Sequence, residues 1–397
     1  MKIEKSKVLK VINKVREFIG EHEQEMVSLL KRLVEINSYT GNKMGVDAVA
    51  SVIQEECEAM GLHVRRESCE KVGDNLVIET PLHKEGKKGI LLCGHMDTVF
   101  PPELGFDSFT QDGTYYYGPG VADMKCGLVE GLYVLKALDA LGLLQAMSIV
   151  MICNSDEEIG SINSSDLILK EAENSLVGFV LESTKAGGEL VIGRKGRMTF
   201  ELEVTGKAAH AGSVGADKAS AILELAQQVQ AYEKLNNPAE GTSVNVGKIE
   251  GGVGANTVAE KARAIVEFRY TQKDCGDKVW ETVQKLAAEP YTKGTSCVVR
   301  AITARPSMVT NDAILGLYKM IEEIGIDFGF DIQCAQCGGG SDANFISQLG
   351  IPVIDGLGPI GGNLHSVDEY LVASTVPERA ILTTLVVVKA WEQYCCN

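Results

Sequence analysis

The sequence is short of basic residues. Among its 397 residues, 38 are Lys or Arg and 54 are Asp or Glu, which gives a formal net charge of −16. Binding to a phosphate backbone requires a concentrated positive surface, and no dense stretch of Lys and Arg supplies one. We therefore expect no nucleic-acid partner, and an acidic surface that mainly keeps the protein soluble.

A long apolar run is also missing. A helix needs roughly 20 apolar residues to span a bilayer, and no stretch approaches that length. The first 24 residues alternate charged with apolar residues and show neither an uninterrupted apolar segment nor a small-residue cleavage site. We expect no membrane partner, no secretion signal and a cytoplasmic location.

The cysteines lack regular spacing. There are 11 of them, an odd number, and Cys93 and Cys153 lie inside apolar runs. Reduced, mostly buried thiols in a cytoplasmic enzyme explain this distribution best. One CxxC occurs, from Cys334 to Cys337, but without a second pair it does not predict a zinc or redox site.

The length favours two domains, each with its own core. Three short apolar runs, ending near residues 94, 154 and 183, are typical of strands buried on both faces of an α/β sheet. From about residue 193 the apolar residues alternate at period two, as in an antiparallel sheet with one exposed face. We predict an α/β domain formed by residues 1–192 and 307–397, into which an α+β domain, residues 193–306, is inserted.

Polar residues follow each of the three apolar runs. They are His95 and Asp97 after the first, Glu157 and Glu158 after the second, and Glu182 after the third. In open α/β sheets, ligands bind at the carboxyl ends of the strands. Three strands would therefore deliver imidazole and carboxylate groups to one edge of the sheet.

Each of these residues also has an ordinary structural explanation. Asp97 could orient the ring of His95 for a metal, or the pair could make a strand-end hydrogen bond. Asp123 precedes a helix predicted to begin at Met124, where an N-cap is the alternative. Glu157 and Glu158 belong to a run of three acids that repel one another unless cations neutralise them, although a solvated charge run is the alternative.

The composition of the whole set points to a catalytic metal site. Glu182, and His365 near the end of the chain, are individually weak candidates. Together with the others they supply two His, several carboxylates and no Cys, which suits an open catalytic zinc site rather than a closed structural one.

Motifs along the entire chain resemble those of one family. In order they are GHMDTV, YGPGVADMKCG, NSDEEIGS, LES, GKAAHAG, EFRY, GGGSDA and NLHSVDE. The chain resembles the M20-type dizinc exopeptidases and deacylases, and within them the carboxypeptidase G2-like glutamate carboxypeptidases. The resemblance implies a zinc-exopeptidase-like catalytic domain with a mixed, mostly parallel sheet, and an inserted α+β lid or dimerisation domain.

The resemblance also implies the metal ligands and their roles. Asp123 would bridge two zinc ions, with Co²⁺ or Mn²⁺ as substitutes; His95 and Glu182 would complete one site, and Glu158 and His365 the other. Glu157 would be the catalytic base, with Asp97 supporting the site. A cis peptide bond is implied between Asp123 and Met124.

In the inserted domain the resemblance implies substrate-binding residues, and a homodimer formed through that domain. These residues are His210, Asn256, Arg269, Gly339 and Gly340. His210 would reach across the dimer to polarise the scissile carbonyl, and Arg269 would bind a carboxylate with its planar fork. The alternatives are a turn histidine, a strand-surface arginine and a simple glycine-rich loop.

The expected activity is hydrolysis of an amide or peptide bond next to a C-terminal amino acid with a free carboxylate. The substrate would be a small N-acyl amino acid or a short peptide. A deacylase of the acetylornithine or succinyl-diaminopimelate type is the alternative, and Arg269 is expected in both. Two other classes are an inactive binding protein, which would not need Glu157, and a cysteine hydrolase, for which no Cys has an evident His partner.

Overall fold

The computed structural model describes residues 5–184, 187–215 and 217–396, with the backbone alone for residues 5–10. The chain divides into two compact units. The first comprises Met1–Ile192, Thr310–Gln336 and Ser341–Asn397, and the second comprises Gly193–Val309 and Cys337–Gly340.

A six-stranded mixed sheet forms the centre of the first unit. Its strands are β1 His63–Glu67, β2 Asn75–Glu79, β3 Gly89–His95, β6 Ile149–Asn154, β7 Ser175–Val180 and β16 Val353–Ile354. The strand order is β1-β2-β6-β3-β7-β16, in which the last four are parallel and the first two antiparallel to their neighbours. Every residue of β3 and β6 is buried. The predicted α/β class with a mostly parallel sheet is confirmed.

Helices cover this sheet. They are α1 Lys5–Val34, α2 Lys43–Ala59, α3 Pro81–Lys84, α4 Cys126–Ala140, α5 Ser165–Glu173, α8 Asp312–Phe328, α9 Ala343–Ile346 and α10 Thr375–Ala390. Helices α1, α4 and α10 pack against one another. At Gly127 helix α4 runs so close to the chain after β7 that a Cβ atom would lie 2.0 Å from the Leu181 carbonyl oxygen. Among the described residues, no helix combines the length and the apolar character needed to cross a membrane.

A small antiparallel sheet completes the first unit. It consists of β4 Thr110–Gln111, β5 Tyr115–Tyr117, β17 Gly361–Gly362 and β18 Tyr370–Val372, in the order β17-β18-β5-β4. The loop of residues 363–369, between β17 and β18, carries His365.

The second unit is built on a four-stranded antiparallel sheet. Its strands are β9 Gly196–Thr205, β11 Ser243–Gly251, β13 Lys261–Tyr270 and β14 Ser296–Arg305, in the order β11-β13-β9-β14, and helices α6 Ala221–Glu233 and α7 Lys273–Ala288 pack on it. The alternating residues Phe200, Leu202 and Val204 are buried in its core. Strands β10 Ala209–His210 and β12 Thr257–Val258 form a short ribbon. Along the chain, strand β8 Leu190–Arg194 includes the division after Ile192, and β15 Cys334–Cys337 includes the division after Gln336.

One predicted helix start was wrong, that of α4. Helix α6 begins at Ala221, where the Ser220 hydroxyl caps it by accepting a hydrogen bond from the Leu223 amide. Helix α4 begins at Cys126 instead of Met124, because Asp123 (φ −116°, ψ 91°) and Met124 (φ −133°, ψ 38°) have non-helical backbones.

Candidate metal centre

Three neighbouring parallel strands carry the candidate residues at their carboxyl ends. His95 is the last residue of β3, Glu157 and Glu158 begin a 3₁₀ turn after β6, and Glu182 follows β7 by two residues. Because parallel strands end at the same edge of a sheet, these side chains converge there.

Asp123 lies between the two candidate imidazoles. Its Oδ1 atom is 3.1 Å from His95 Nε2, and its Oδ2 atom is 3.3 Å from His365 Nε2. The peptide bond between Asp123 and Met124 is cis, as the resemblance implies. Asp123 does not act as a helix N-cap, since the N-cap position of α4 is Lys125 and no side chain caps it.

Glu158 and Glu182 flank this arrangement on opposite sides. Glu158 Oε2 is 3.1 Å from His365 Nε2, and Glu182 Oε1 is 3.7 Å from His95 Nε2. Both carboxylates are largely buried, whereas His365 is exposed on its loop. The Nε2 atom of each imidazole therefore faces Asp123 and one further carboxylate.

The donor set fits divalent metal ions. Ligand atoms of His95, Asp123 and Glu158 lie within 4.8 Å of one another, and so do those of His95, Glu157 and Glu182. Imidazole and carboxylate donors without thiolates suit a catalytic zinc site or a similar divalent metal. The three carboxylates of Asp123, Glu158 and Glu182 concentrate negative charge that two divalent cations would balance.

The pKa values show how strongly these groups depend on positive charge. Burial raises the pKa of Glu158 to about 7 and raises the pKa of Glu182 well above its ordinary value. Hydrogen bonds with Asp123 and Glu158 raise the pKa of His365 to about 10. Burial alone would lower the pKa of His95, but Glu182 and Asp123 outweigh burial and raise it. The pKa values of these four groups are all shifted toward the protonated form, as expected where neighbouring donor groups share a need for positive charge.

Asp97 connects His95 to the turn that carries the two glutamates. His95 Nδ1 lies 3.1 Å from the Asp97 carbonyl oxygen and 3.3 Å from its Oδ1 atom. The Asp97 carboxylate also accepts hydrogen bonds from the backbone amides of Glu157 and Glu158, each at 3.2 Å, and from Thr40 Oγ1 at 2.7 Å. Thr40 was not predicted, because no local pattern relates it to Asp97.

Glu369 is a second residue that sequence reasoning missed. Its buried carboxylate accepts hydrogen bonds from the backbone amides of Gly120, Ala122 and Asp123 at 3.2, 2.8 and 2.9 Å. The signal in the sequence was its position in NLHSVDEY, four residues after His365. This signal does not distinguish Glu369 from the adjacent acid Asp368, which is exposed. Glu369 therefore holds the loop that presents Asp123.

Asp156 does not join the cluster of ligands. The run of three acids suggested a shared need for cations, yet the Asp156 carboxylate accepts hydrogen bonds from the backbone amide and the side chain of Asn163, at 2.6 and 2.9 Å. Its charge is stabilised locally, so only Glu157 and Glu158 contribute to the centre.

The predicted substrate-binding residues all lie in the second unit, where they form two groups. His210 ends one strand of the short ribbon and Asn256 directly precedes the other, and the amide of Ala211 donates to the Asn256 carbonyl at 2.9 Å. Arg269 Nη1 donates to the Gly338 carbonyl at 2.9 Å, which connects β13 to the glycine loop. In that loop the Gly339 carbonyl accepts from Arg194, and a Cβ at Gly340 would lie 2.8 Å from Arg305 Cδ.

Comparison with known proteins identifies the family. The model of peptidase family M20/M25/M40 matches residues 91–389, more than half of the chain. The chain belongs to this family. The resemblance seen in the sequence motifs is confirmed, and the chain is a metal-dependent hydrolase of peptide or amide bonds.

Individual relatives cover nearly the whole chain. Carboxypeptidase G2 of Pseudomonas sp. (strain RS-16) is 30% identical over 382 residues, which are 93% of this chain and 90% of that protein. A succinyl-diaminopimelate desuccinylase of Psychrobacter sp. (strain PRwf-1) is 27% identical, over 91% of this chain and 94% of that protein. The crystal structure of an aminopeptidase from Bacillus cereus has the same fold, with a TM-score of 0.76 at 24% identity over 93% of this chain and 98% of that one.

Membership of the M20 family argues against the alternative of a cysteine hydrolase. All 11 cysteines are free, and burial raises the pKa of Cys93, Cys126 and Cys153 well above the ordinary value. A thiol that stays protonated is a poor nucleophile, so these buried cysteines fill the core.

Proposed function

We propose that this M20 enzyme hydrolyses the amide or peptide bond next to a C-terminal residue with a free carboxylate. Two zinc ions would be held by His95, Asp123, Glu158, Glu182 and His365, with Asp123 shared between them. The observation that carries the proposal is the position of Asp123, whose two carboxylate oxygens each face a different imidazole, at 3.1 and 3.3 Å.

When bound, the two ions would supply the positive charge that lowers the pKa of water to about 7 and polarises the scissile carbonyl. Glu157 would accept the proton of the attacking water and return it to the leaving amine. Its backbone amide donates to Asp97 at 3.2 Å, which supports a fixed position for this base.

For the substrate carboxylate we propose Arg269, with the Gly339 and Gly340 backbone close by. Arg269 is held by hydrogen bonds from Nη1 to the Gly338 carbonyl at 2.9 Å and from Nε to Glu267 at 2.8 Å. Its Nη2 group donates to no other group in the described part of the chain. A guanidinium fixed in this way still offers donors to a carboxylate.

His210 and Asn256 are proposed to contact the scissile carbonyl side of the substrate. His210 Nδ1 accepts a hydrogen bond from the Gly212 amide at 3.1 Å. In the neutral ring the proton then lies on Nε2, which can donate to a carbonyl oxygen that gains negative charge. We further propose a homodimer through the second unit and a cytoplasmic location, in keeping with the unpaired cysteines.

The second candidate function is deacylation of an N-acyl amino acid. It is favoured by the likeness to succinyl-diaminopimelate desuccinylase, whereas the likeness to carboxypeptidase G2 favours the first candidate. Both reactions use the same metal centre and base, so the residues of the centre do not separate them.

A substrate panel with metal analysis tests the proposal. Folate-type and other glutamyl amides should be hydrolysed by enzyme with two zinc ions per chain, and matched amides whose terminal carboxylate is a carboxamide should not. Arg269→Lys should raise KM for the carboxylate substrates, while Arg300→Lys, at an exposed position of β14, should not. Turnover of N-acetyl and N-succinyl diamino acids alone would establish the deacylase.

A further inference from the structure

A cavity of about 590 Å³ lies in the first unit beside the loop that carries His365. Its lining is formed by Phe106, Ser108, Thr110, Tyr115, Tyr117, Asn363, Val367, Asp368 and Tyr370. These residues come from the small antiparallel sheet, the segment before it and the loop of residues 363–369. None of them is used by the metal centre or by the proposed carboxylate site.

Three tyrosine rings form a preorganised wall of this cavity. Tyr117 and Tyr370 are paired across neighbouring strands, and Tyr370 is in turn paired with Gly362. The Tyr115 ring packs edge-on against Tyr370, with centroids 5.2 Å apart, and its centroid is 6.2 Å from that of Tyr117. Tyr116, between them, points to the other face and is buried, as strand alternation requires.

Two contacts hold these rings in place. The Tyr117 hydroxyl donates to Asp112 Oδ2 at 3.0 Å. The Tyr370 ring lies over Gly362, where a Cβ atom would be 2.6 Å from the tyrosine hydroxyl oxygen. The ring can occupy this position only because Gly362 has no side chain.

The charge of the lining favours a cation. Asp368 is its one ionic side chain, no Lys or Arg contributes to it, and Asp368 makes no ion pair with the residues that the structure describes. Tyrosine faces attract ammonium and guanidinium groups within about 6 Å of the ring. Phe106 and Val367 add apolar surface, which suits the methylene stem of a long basic side chain.

The cavity lies close to the metal centre. Asn363 and Val367 are each two residues from His365, so their Cα atoms are at most about 7 Å from that of His365. His365 Nε2 in turn faces Asp123 at 3.3 Å and Glu158 at 3.1 Å. A substrate group in the cavity would therefore contact the loop that positions a candidate metal ligand.

We propose that this cavity binds the lysine or arginine side chain of the substrate residue on the N-terminal side of the cleaved bond. The inference rests on the proposed function, in which Arg269 binds the carboxylate of the substrate's C-terminal residue. Among peptide substrates, it predicts a preference for those with a basic residue before the C-terminal one.

The test compares two peptides that differ only in charge. Dipeptides with lysine or with norleucine before the same C-terminal residue have the same stem length, and we expect kcat/KM to be about tenfold higher for lysine, the size of a cation–π contact combined with an ion pair. Asp368→Asn and Tyr117→Leu should remove this preference by lowering kcat/KM for the lysine peptide more than for the norleucine peptide. Gly362→Ala, which displaces the Tyr370 ring without changing charge, should reduce it. The matched control, Glu103→Gln, removes an exposed acid outside the lining and should preserve it.

Equal kcat/KM for the two peptides in the unmodified enzyme would overturn the proposal, as would a preference that survives Asp368→Asn. Binding of a probe separates this failure from a failure of the proposed function. Saturation-transfer NMR with n-butylammonium, compared with n-butanol, reports on the cavity even if no peptide is hydrolysed. Selective binding of the ammonium that is lost in Asp368→Asn supports the site, and equal binding of both probes refutes it.

Discussion

The carboxylate of Glu369 accepts a hydrogen bond from the backbone amide of Asp123 at 2.9 Å. A second amide, that of Ala122, donates to the same oxygen at 2.8 Å. These two amides belong to the loop that carries Asp123. Because Glu369 holds this loop, it also fixes the position of the Asp123 carboxylate between His95 and His365. A residue that touches neither imidazole thus determines the geometry of the candidate centre.

Replacing Glu369 by Gln should weaken metal binding by about 10- to 100-fold, the usual cost of losing a residue that orients metal ligands. The amide side chain has one acceptor oxygen and one donor group, so it cannot accept from all three backbone amides. Isothermal titration of the metal-free protein with zinc measures the change. Glu378→Gln, an exposed acid on α10, is the control and should bind zinc normally. Unchanged zinc affinity in Glu369→Gln would show that the loop holds its shape without this carboxylate.

Replacing Glu157 by Gln should lower kcat by about 10²- to 10⁴-fold, because the attacking water loses its general base. Metal content should remain two ions per chain, since the proposed ligands are intact. Glu158→Gln should behave in the opposite way and lose metal. Steady-state kinetics combined with metal analysis checks both variants, and loss of metal from Glu157→Gln would mean that this residue is itself a ligand.

Zinc affinity should fall as the pH drops from 8 to 6. Burial raises the pKa of the metal-free Glu158 carboxyl to about 7, and a metal binds only the deprotonated group. Below pH 7 the proton therefore competes with the metal, whereas above pH 8 it is already lost. Competition with a chromophoric chelator at pH 6, 7 and 8 measures the trend, and an affinity that does not change over this range would contradict it.

Gly127→Ala should destabilise the protein by about 1–3 kcal/mol, the usual cost of overpacking. The added Cβ would lie 2.0 Å from the Leu181 carbonyl oxygen, which is backbone and cannot rotate away. Gly316→Ala is the matched control within α8, where no atom lies within 4 Å of the new Cβ. It should stabilise by about 0.5–1 kcal/mol through helix propensity. Urea unfolding midpoints should shift in opposite directions, and a tolerated Gly127→Ala would mean that α4 can move away from the sheet.

The sequence alone was sufficient for the parts of the centre that follow strands. A strand buried on both faces is a continuous apolar run, and the first polar residues after it must lie at the edge of the sheet. This local rule located His95, Glu158 and Glu182, and β6, β3 and β7 are indeed adjacent and parallel. The motifs added Asp123 and His365, which follow no long strand and for which local patterns left an N-cap or a surface loop open.

The tertiary structure decided which of the neighbouring acids face the centre and what holds them there. Asp156 turns to Asn163, Thr40 reaches Asp97 from 57 positions away, and Glu369 lies 246 positions from Asp123. Such contacts depend on how separate loops approach one another in space, and no periodicity along the chain records that approach. The apolar runs of the sequence therefore determined which residues lie at the edge of the sheet. Packing between distant segments determined the orientation of the ligands and the tyrosine wall beside His365.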